Sequence, residues 1–166
     1  MQKQVLLESS AEFSPDRIHR YSLCRIWDRD KPYAAFVGLN PSTADERKND
    51  PTVRRCINYA GDWGYGGLIM LNIFAYRSTD PGNLYTAFDP VGPENDSFIG
   101  TVSSKAGITI AAWGNHGEFL NRGREVMKLL KDPHCLKLTR TGCPGHPLYL
   151  RKDLVPVPVS KHRISD

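Results

Sequence analysis

The stretch Val37-Gly38-Leu39-Asn40-Pro41-Ser42-Thr43-Ala44-Asp45 decides how the rest of the chain is organised. It completes an uncharged apolar run that begins at Ala34, and such a run is typical of a strand buried on both faces. Pro41 restricts Asn40 to an extended conformation, and the small polar residues that follow favour a tight turn. The pattern therefore predicts an amide side chain at the carboxyl end of a buried strand, where open α/β sheets bind their ligands. The alternative is that residues 40–42 form an ordinary turn.

The composition is typical of a globular domain. The 166 residues are 40% hydrophobic and 24% charged, which fits one domain with a sizeable core. No run approaches the roughly 18 apolar residues of a membrane span, and the amino terminus lacks an apolar signal segment. We therefore expect a single cytoplasmic domain over residues 1–166, monomeric and without membrane contact. The net charge of +4 is compatible with a polyanionic partner but does not require one.

The cysteines and histidines give little support to a metal site. None of the four cysteines belongs to a Cys-x-x-Cys pair, and the five histidines show no His-x-x-x-His spacing. We therefore expect a mechanism without metal or other cofactor, and reduced thiols in an intracellular protein. The cysteines are Cys24, Cys56, Cys135 and Cys143.

Apolar strands alternate with segments of helical periodicity from residue 33 onward. The predicted strands cover residues 33–38, 68–71, 108–113 and 135–138. The predicted helices cover about 51–61, 94–105 and 118–130, and the first begins at a cap on Asn49 or Asp50. This alternation predicts an α/β fold with three layers, α/β/α, around a central four-stranded parallel sheet. Around that sheet we expect an amino-terminal extension at 1–30 with a short strand pair, an irregular segment at 82–93 and a loose tail at 154–166.

Polar side chains follow each predicted strand at the point where the strand ends. Right-handed crossovers place the carboxyl ends of parallel strands at one edge of the sheet. We therefore expect these polar groups, drawn from four separate loops, to meet in one cleft. They are Asn40, Asn72, Asn115 with His116, and His146.

The same loops resemble the motifs of the uracil-DNA glycosylase superfamily. Gly38-Leu39-Asn40-Pro41 resembles the first catalytic motif, in the Asn form of the mismatch-specific uracil/thymine-DNA glycosylases. Leu71-Asn72 resembles the strand-end Asn that recognises the pyrimidine edge, and Trp113-Gly114-Asn115-His116 resembles the end of the third strand. His-Pro-Leu-Tyr-Leu at 146–150 resembles the second catalytic motif. The likeness to this superfamily spans about residues 33–152. More closely, Asn-Pro-Ser-Thr-Ala-Asp at 40–45, the following Asp-Pro-Thr and residues 72–77 resemble a bacterial and phage family of unassigned function.

The resemblance implies a monofunctional DNA glycosylase, which hydrolyses the N-glycosidic bond of a flipped-out pyrimidine and leaves an abasic site. Asn40 would position the attacking water through its side-chain carbonyl, and His146 would donate a hydrogen bond to the departing base. Asn72 would read the base edge with one donor and one acceptor. An Asn cannot act as a general base, so Asp45 is also a catalytic candidate. Asp50 is the alternative carboxylate, and helix capping is the simpler role for both.

The resemblance also implies the contacts around the reacting bond. Phe74 or Tyr76 would stack on the base, unless Phe74 packs in the core. The apolar residues of the last motif would wedge into the gap that the base leaves, or else pack the carboxyl terminus. Further substrate-binding candidates are Gly38, Leu39, Pro41, Ser42, Asn115 and His116. The candidates for contact with DNA are Arg77, Arg140, Pro147, Leu148, Tyr149, Leu150, Arg151 and Lys152.

Ser42 departs from the superfamily pattern. Uracil-specific members have a Tyr directly after the Pro of the first motif, which excludes a 5-methyl group, whereas Ser42 is far smaller. The substrate implied is therefore a 5-modified pyrimidine, such as mismatched thymine or an enlarged phage-type cytosine, in DNA repair or in defence against phages. A hydrolase of free nucleosides or nucleotides, and a non-catalytic nucleic-acid-binding module, are the two alternatives.

Overall fold

The computed structural model of the protein describes residues 5–159, and its centre is a mixed sheet of seven strands. In chain order the strands are β1 (Glu8–Phe13), β2 (Arg20–Ile26), β3 (Tyr33–Gly38), β4 (Gly67–Asn72), β5 (Ile108–Ala111), β6 (His134–Cys135) and β7 (Val157–Pro158). Their order across the sheet is β1-β2-β4-β3-β5-β6-β7. The pairs β3–β4, β3–β5 and β5–β6 are parallel. The pairs β1–β2, β2–β4 and β6–β7 are antiparallel.

Three α-helices lie within the described residues: α1 (Pro51–Asp62), α2 (Asn95–Lys105) and α3 (Arg122–Met127). Short 3-10 helices cover Pro81–Tyr85, Asn115–Asn121 and Pro147–Tyr149. The start of α1 was predicted from sequence: Asp50 accepts a hydrogen bond from the N–H of Val53 at 2.8 Å, and Pro51 occupies the first turn. The cap therefore fixes where the loop after β3 turns into the helix.

The central strand β3 is covered by helices on both faces. Successive side chains of a strand point to opposite sides of the sheet. Ala34 and Phe36 pack in one cluster with the α1 residue Tyr59, and Ala35 and Val37 pack in another cluster that contains α2 and α3 residues. Residues 34–37 are fully buried. The uncharged run thus has the two-sided burial that its composition predicted.

The α/β class is confirmed, but the sheet is larger than the predicted four strands. The strands β3, β4, β5 and β6 pair in parallel, yet β2 adds antiparallel to β4, so the amino-terminal pair extends the central sheet. Because β2 lies between β1 and β4, it is buried along almost its whole length rather than partly exposed. Part of the predicted loose tail forms the edge strand β7, and the predicted fourth strand is only two residues long. Residues 160–166 of that tail lie outside the described residues.

The helix predicted over 118–130 is divided. Leu120 and Asn121 have positive φ values of 55° and 57°, and this left-handed conformation interrupts a right-handed helix. Trp113 packs closely against this turn, since a Cβ at Gly117 or Gly123 would lie 2.1 or 2.8 Å from atoms of its indole. The chain therefore bends around this buried indole before α3 begins.

Candidate functional site

A cleft of about 540 Å³ opens at the carboxyl ends of the parallel strands. Its walls come from the loops that follow β3, β4, β5 and β6, as the convergence of strand ends predicts. Of the polar side chains expected there, four line the cleft directly: Asn40, Asn115, His116 and His146. The fold therefore brings together groups that are up to about a hundred positions apart in the sequence.

A smaller cavity of about 40 Å³ adjoins the cleft and reaches the end of β4; we call it the floor cavity. A space of this size holds one or a few water molecules. Asn72 and Arg20 line it from the sheet side. The residues that line both spaces are Leu39, Asn40, Ser42, Asp50, Thr52 and His146. Asn40 and His146 thus both border the same water-sized volume.

Two backbone carbonyls fix the amide of Asn40. Its Nδ2 donates to the carbonyl oxygen of Ser78 at 2.9 Å and to that of Pro41 at 3.2 Å. These acceptors assign the nitrogen to one side of the amide, so Oδ1 takes the other side. No hydrogen bond from another residue of the 5–159 segment engages this oxygen. Oδ1 is therefore free to accept a hydrogen bond from a bound molecule.

His146 offers a donor to the cleft in its neutral form. Its Nδ1 accepts a hydrogen bond from the N–H of Leu148 at 3.2 Å, at the start of a 3-10 helix. Burial lowers the pKa of His146, and the negative charge of Asp50 opposes this only in part. The imidazole is therefore neutral at neutral pH, with its proton on Nε2.

Asp50 is the carboxylate of the cleft. It is only 7% exposed, lines both the cleft and the floor cavity, and uses one oxygen to cap α1. Asp45 lines neither space. Its Oδ1 accepts hydrogen bonds from the N–H groups of Lys48 and Arg47 in a turn, and these bonds lower the pKa of Asp45. The structure therefore brings Asp50, and not Asp45, to Asn40 and His146.

Asn72 lies in the floor cavity and is 4% exposed. Its Oδ1 accepts a hydrogen bond from Nη2 of Arg20 at 3.2 Å. Gly38 makes room for the amide, since a Cβ at this position would lie 3.0 Å from the Nδ2 of Asn72. The donor of Asn72 remains available to the cavity, whereas its acceptor is shared with Arg20.

Asn115 and His116 form part of the exposed rim of the cleft. The Oδ1 of Asn115 accepts hydrogen bonds from the hydroxyl groups of Thr139 at 2.7 Å and Thr141 at 2.8 Å. The Nδ1 of His116 lies 3.0 Å from the hydroxyl oxygen of Tyr85. These bonds tie together the loops after β5 and β6 with the 3-10 helix at Pro81–Tyr85.

The segment 148–150 forms an apolar wall of the cleft. Arg55 donates from Nη1 to the carbonyl oxygen of Leu150 at 2.9 Å, which anchors the wall to α1. Pro147 is buried, but Tyr149 is 85% exposed and Leu148 36%. Packing of the carboxyl terminus therefore does not account for the exposed part of the wall.

The predicted phosphate-binding residues differ in how they relate to the cleft and in how exposed they are. Arg77 lines an open groove of about 520 Å³ that shares Ser42 and Ser78 with the cleft. Arg140, Arg151 and Lys152 are exposed. Arg151 is already paired with Asp153 through two hydrogen bonds of 3.1 and 2.7 Å.

Some predicted residues lie elsewhere, and one buried residue was not predicted. The ring of Phe74 is fully buried and 5.7 Å from that of Phe119, so it does not line the cleft. Leu39 and Ser42 line the cleft, and Pro41 lines the floor cavity. Arg20 lies buried at the floor cavity, although its charge suggested an exposed position on the strand. Its hydrogen-bond partners come from distant segments, and no local sequence pattern indicates such contacts.

Other features of the described chain bear on the class of protein. Within residues 5–159, no group of three or more His, Cys, Asp or Glu side chains is arranged to hold a metal ion. All four cysteines are buried, and no disulfide joins them in this part of the chain. No helix there is long and apolar enough to cross a membrane.

A family model matches residues 20–148, from β2 to the segment that follows His146. The match therefore includes Asn40, Asn72 and His146. The family is described as protein of unknown function (DUF1643). No curated protein and no solved structure matches the chain.

Proposed function

The chain belongs to this family of unknown function, DUF1643, and from the geometry of its cleft we propose that it is a DNA glycosylase. The substrate is a flipped-out pyrimidine, and the products are a free base and an abasic site. One observation carries the proposal: the same water-sized cavity is lined by a residue with an unengaged amide oxygen, a residue with a neutral imidazole and a buried acidic residue. These residues are Asn40, His146 and Asp50.

The three groups match what hydrolysis of an N-glycosidic bond requires. Water must attack the sugar carbon C1′, and its proton must go to a base. Asn40 Oδ1 accepts one hydrogen bond from the water, and the carboxylate of Asp50 takes the proton. The C1′–N bond breaks, and its electron pair leaves with the base. This assignment gives Asp50 the role for which the sequence suggested Asp45.

His146 stabilises the leaving base. As the bond breaks, negative charge develops on the ring and its exocyclic oxygen, and preorganised donors aimed at that charge lower the barrier. The neutral Nε2–H is such a donor. Because Nδ1 accepts from the N–H of Leu148, the orientation of the ring is fixed, and Nε2–H is the donor that the neutral imidazole can offer to a base.

The cleft can hold a base with a bulky substituent. Its volume of about 540 Å³ is in the range of sites that take ligands larger than a simple pyrimidine. Ser42 leaves space where a Tyr would block the 5-position. We therefore propose a 5-modified pyrimidine as substrate, either mismatched thymine or an enlarged cytosine. No lysine among the described residues lines the cleft, so no amine is placed to form a Schiff base, which supports a monofunctional enzyme.

DNA is the partner that the surroundings of the cleft favour. A base inside a duplex must be flipped out before it can enter. The exposed side chains of Leu148 and Tyr149 are placed at the cleft wall, where they can fill the gap in the stack. The groove beside the cleft carries Arg77, which can hold a phosphate of the same strand.

A panel of end-labelled oligonucleotides tests the proposal. Single- and double-stranded DNA containing uracil, mismatched thymine, 5-hydroxymethylcytosine or its glucosylated form is incubated with the protein and then cleaved with alkali at abasic sites. We expect cleavage at a 5-modified pyrimidine, lost in Asn40→Ala and unchanged in Asp45→Asn. Cleavage confined to uracil would refute the substrate, and no cleavage of any oligonucleotide would refute the function. A free nucleoside in the same panel distinguishes the nucleoside hydrolase.

A further inference from the structure

Two arginines of β2 are buried, and they differ in how well they are satisfied. Arg25 is 0% exposed, and all three of its nitrogen atoms donate hydrogen bonds. This arginine fastens the loop before α1 to the amino-terminal strands, which is a structural role. Its five acceptor groups belong to Ser10, Cys24, Asp45, Lys48 and Asn49.

Arg20 is 2% exposed but has only two hydrogen bonds. Nη1 donates to the carbonyl oxygen of Ala44 at 3.1 Å, and Nη2 donates to Oδ1 of Asn72 at 3.2 Å. Its Nε is buried without a partner, and no carboxylate of the described chain forms a salt bridge with it. A buried, poorly compensated charge costs several kcal/mol of stability. The stability of the fold therefore does not explain a guanidinium at this position.

Arg20 lines the floor cavity together with Asn72, His146 and Asp50. Burial lowers the pKa of Arg20 to about 10, with the charge of Asp50 opposing this change, so the group stays protonated at neutral pH. The residues around this water-sized space thus include a positive group, Arg20, bonded to the amide of Asn72, and a negative group, Asp50, at the start of α1. Hydrolysis of a glycosidic bond separates charge in the same way: the base becomes negative, and positive charge develops at the sugar.

We propose that Arg20 and Asn72 form an anion subsite, which takes the ring edge of the departing base as it becomes negatively charged. The inference rests on the proposed function for the identity of the anion. The electron pair of the broken C1′–N bond delocalises onto the exocyclic oxygen of the base. The Asn72 N–H donates to that oxygen, and the guanidinium polarises the amide through its bond to Oδ1. The water oxygen bonds to C1′, and its proton goes to Asp50.

Binding of a free ionised base tests this subsite without turnover. The probe is 5-nitrouracil, a planar pyrimidine that ionises near neutral pH, and thymine is the matched neutral base. Calorimetry on the whole protein should show that the 5-nitrouracil anion binds tighter than thymine by about tenfold or more, which is ~1.4 kcal/mol. The affinity of the wild-type protein should also rise as pH converts the probe to its anion. If the wild-type protein binds both bases with equal affinity, or binds 5-nitrouracil with the same affinity before and after it ionises, the inference is overturned.

Two variants separate this role from a structural one. Arg20→Met should reduce the preference for the anion to the part that the His146 donor supports, while the midpoint of thermal unfolding is kept or raised, and Arg20→Lys should retain more of the preference. Arg25→Met is the matched control and should lower the thermal midpoint. An undiminished anion preference in Arg20→Met would contradict the assignment. If the wild type binds the anion but releases no base from DNA, the subsite stands and the proposed function fails. If it releases a base but shows no preference for the anion, the proposed function stands and the subsite fails.

Discussion

Replacing Asp50 with Asn separates the two roles that the structure gives this residue. The N-cap hydrogen bond is kept, because an Asn oxygen accepts from the N–H of Val53 as well as an Asp oxygen does. The remaining structural cost is the lost attraction to the buried Arg20, whose protonated form the charge of Asp50 favours. For a domain of this size, each kcal/mol lost lowers the midpoint of thermal unfolding by ~2–4 °C.

The loss of activity should be much larger than the loss of stability. Removing a general base typically costs about 100- to 10,000-fold in rate, which is roughly 3 to 5 kcal/mol of transition-state stabilisation. The variant should also keep His146 neutral, because the charge of Asp50 raises the pKa of His146 and its removal lowers that pKa further. A fall in activity therefore cannot be assigned to a change in the protonation of the imidazole.

Single-turnover cleavage of a modified oligonucleotide measures the effect directly, with enzyme in excess and thermal unfolding recorded on the same preparations. Asp45→Asn is the matched control, since it removes the same charge from a turn whose two backbone hydrogen bonds an Asn can also accept. It should keep the wild-type rate within about threefold, as surface substitutions away from a site do. Asp50→Ala should lose a further ~1 kcal/mol of stability through the missing cap. A wild-type rate in Asp50→Asn would refute the assignment of the general base.

Three further predictions concern other parts of the cleft. Gly38→Ala should displace the amide of Asn72, since its Cβ would lie 3.0 Å from Nδ2, and activity should fall while urea unfolding shows little change. Because burial lowers the pKa of His146, the unfolded chain takes up the proton first below about pH 6.5, so the free energy of unfolding should decrease on acidification. Urea titrations at several pH values should show this dependence weakened in His146→Gln; an unchanged dependence would refute it. Tyr149→Ala should leave stability within ~0.5 kcal/mol, because the side chain is 85% exposed, and should weaken binding to DNA measured by fluorescence anisotropy.

The parts of the fold that the sequence predicted are those fixed by local patterns. The uncharged run of β3 and the Asp50–Pro51 start of α1 are examples, because burial on two faces and helix capping each require particular residue types within a short segment. The edge strand β7 could not be predicted, since two residues that include a proline form a strand only through pairing with β6. The interruption at Leu120 and Asn121 was also not predicted, because two non-glycine residues adopt the left-handed conformation there, which such residues seldom do.

In the candidate site too, features set by local sequence patterns were predicted and features set by long-range contacts were not. The loops after the strands were identified because each ends an apolar run with a polar residue. Asp45 and Asp50 both carry the pattern of a capping residue, and only the fold shows that one faces the cleft while the other holds a turn. Phe74 has an aromatic ring that could stack on a base, but the ring packs against that of Phe119 in the core. The buried charge of Arg20 follows from contacts with segments about 25 and 50 residues away, which sequence patterns do not encode.

Isotope labelling tests whether this cleft uses water to remove a base from DNA. The wild-type protein is incubated in ¹⁸O-labelled water with an oligonucleotide that carries the preferred 5-modified pyrimidine, and both products are analysed by mass spectrometry. We expect a free base without the label and an abasic sugar with one labelled oxygen at C1′, and neither product with Asn40→Ala. Oligonucleotides that bind but remain intact across the whole panel, or a released base with no labelled oxygen on the sugar, would contradict this expectation.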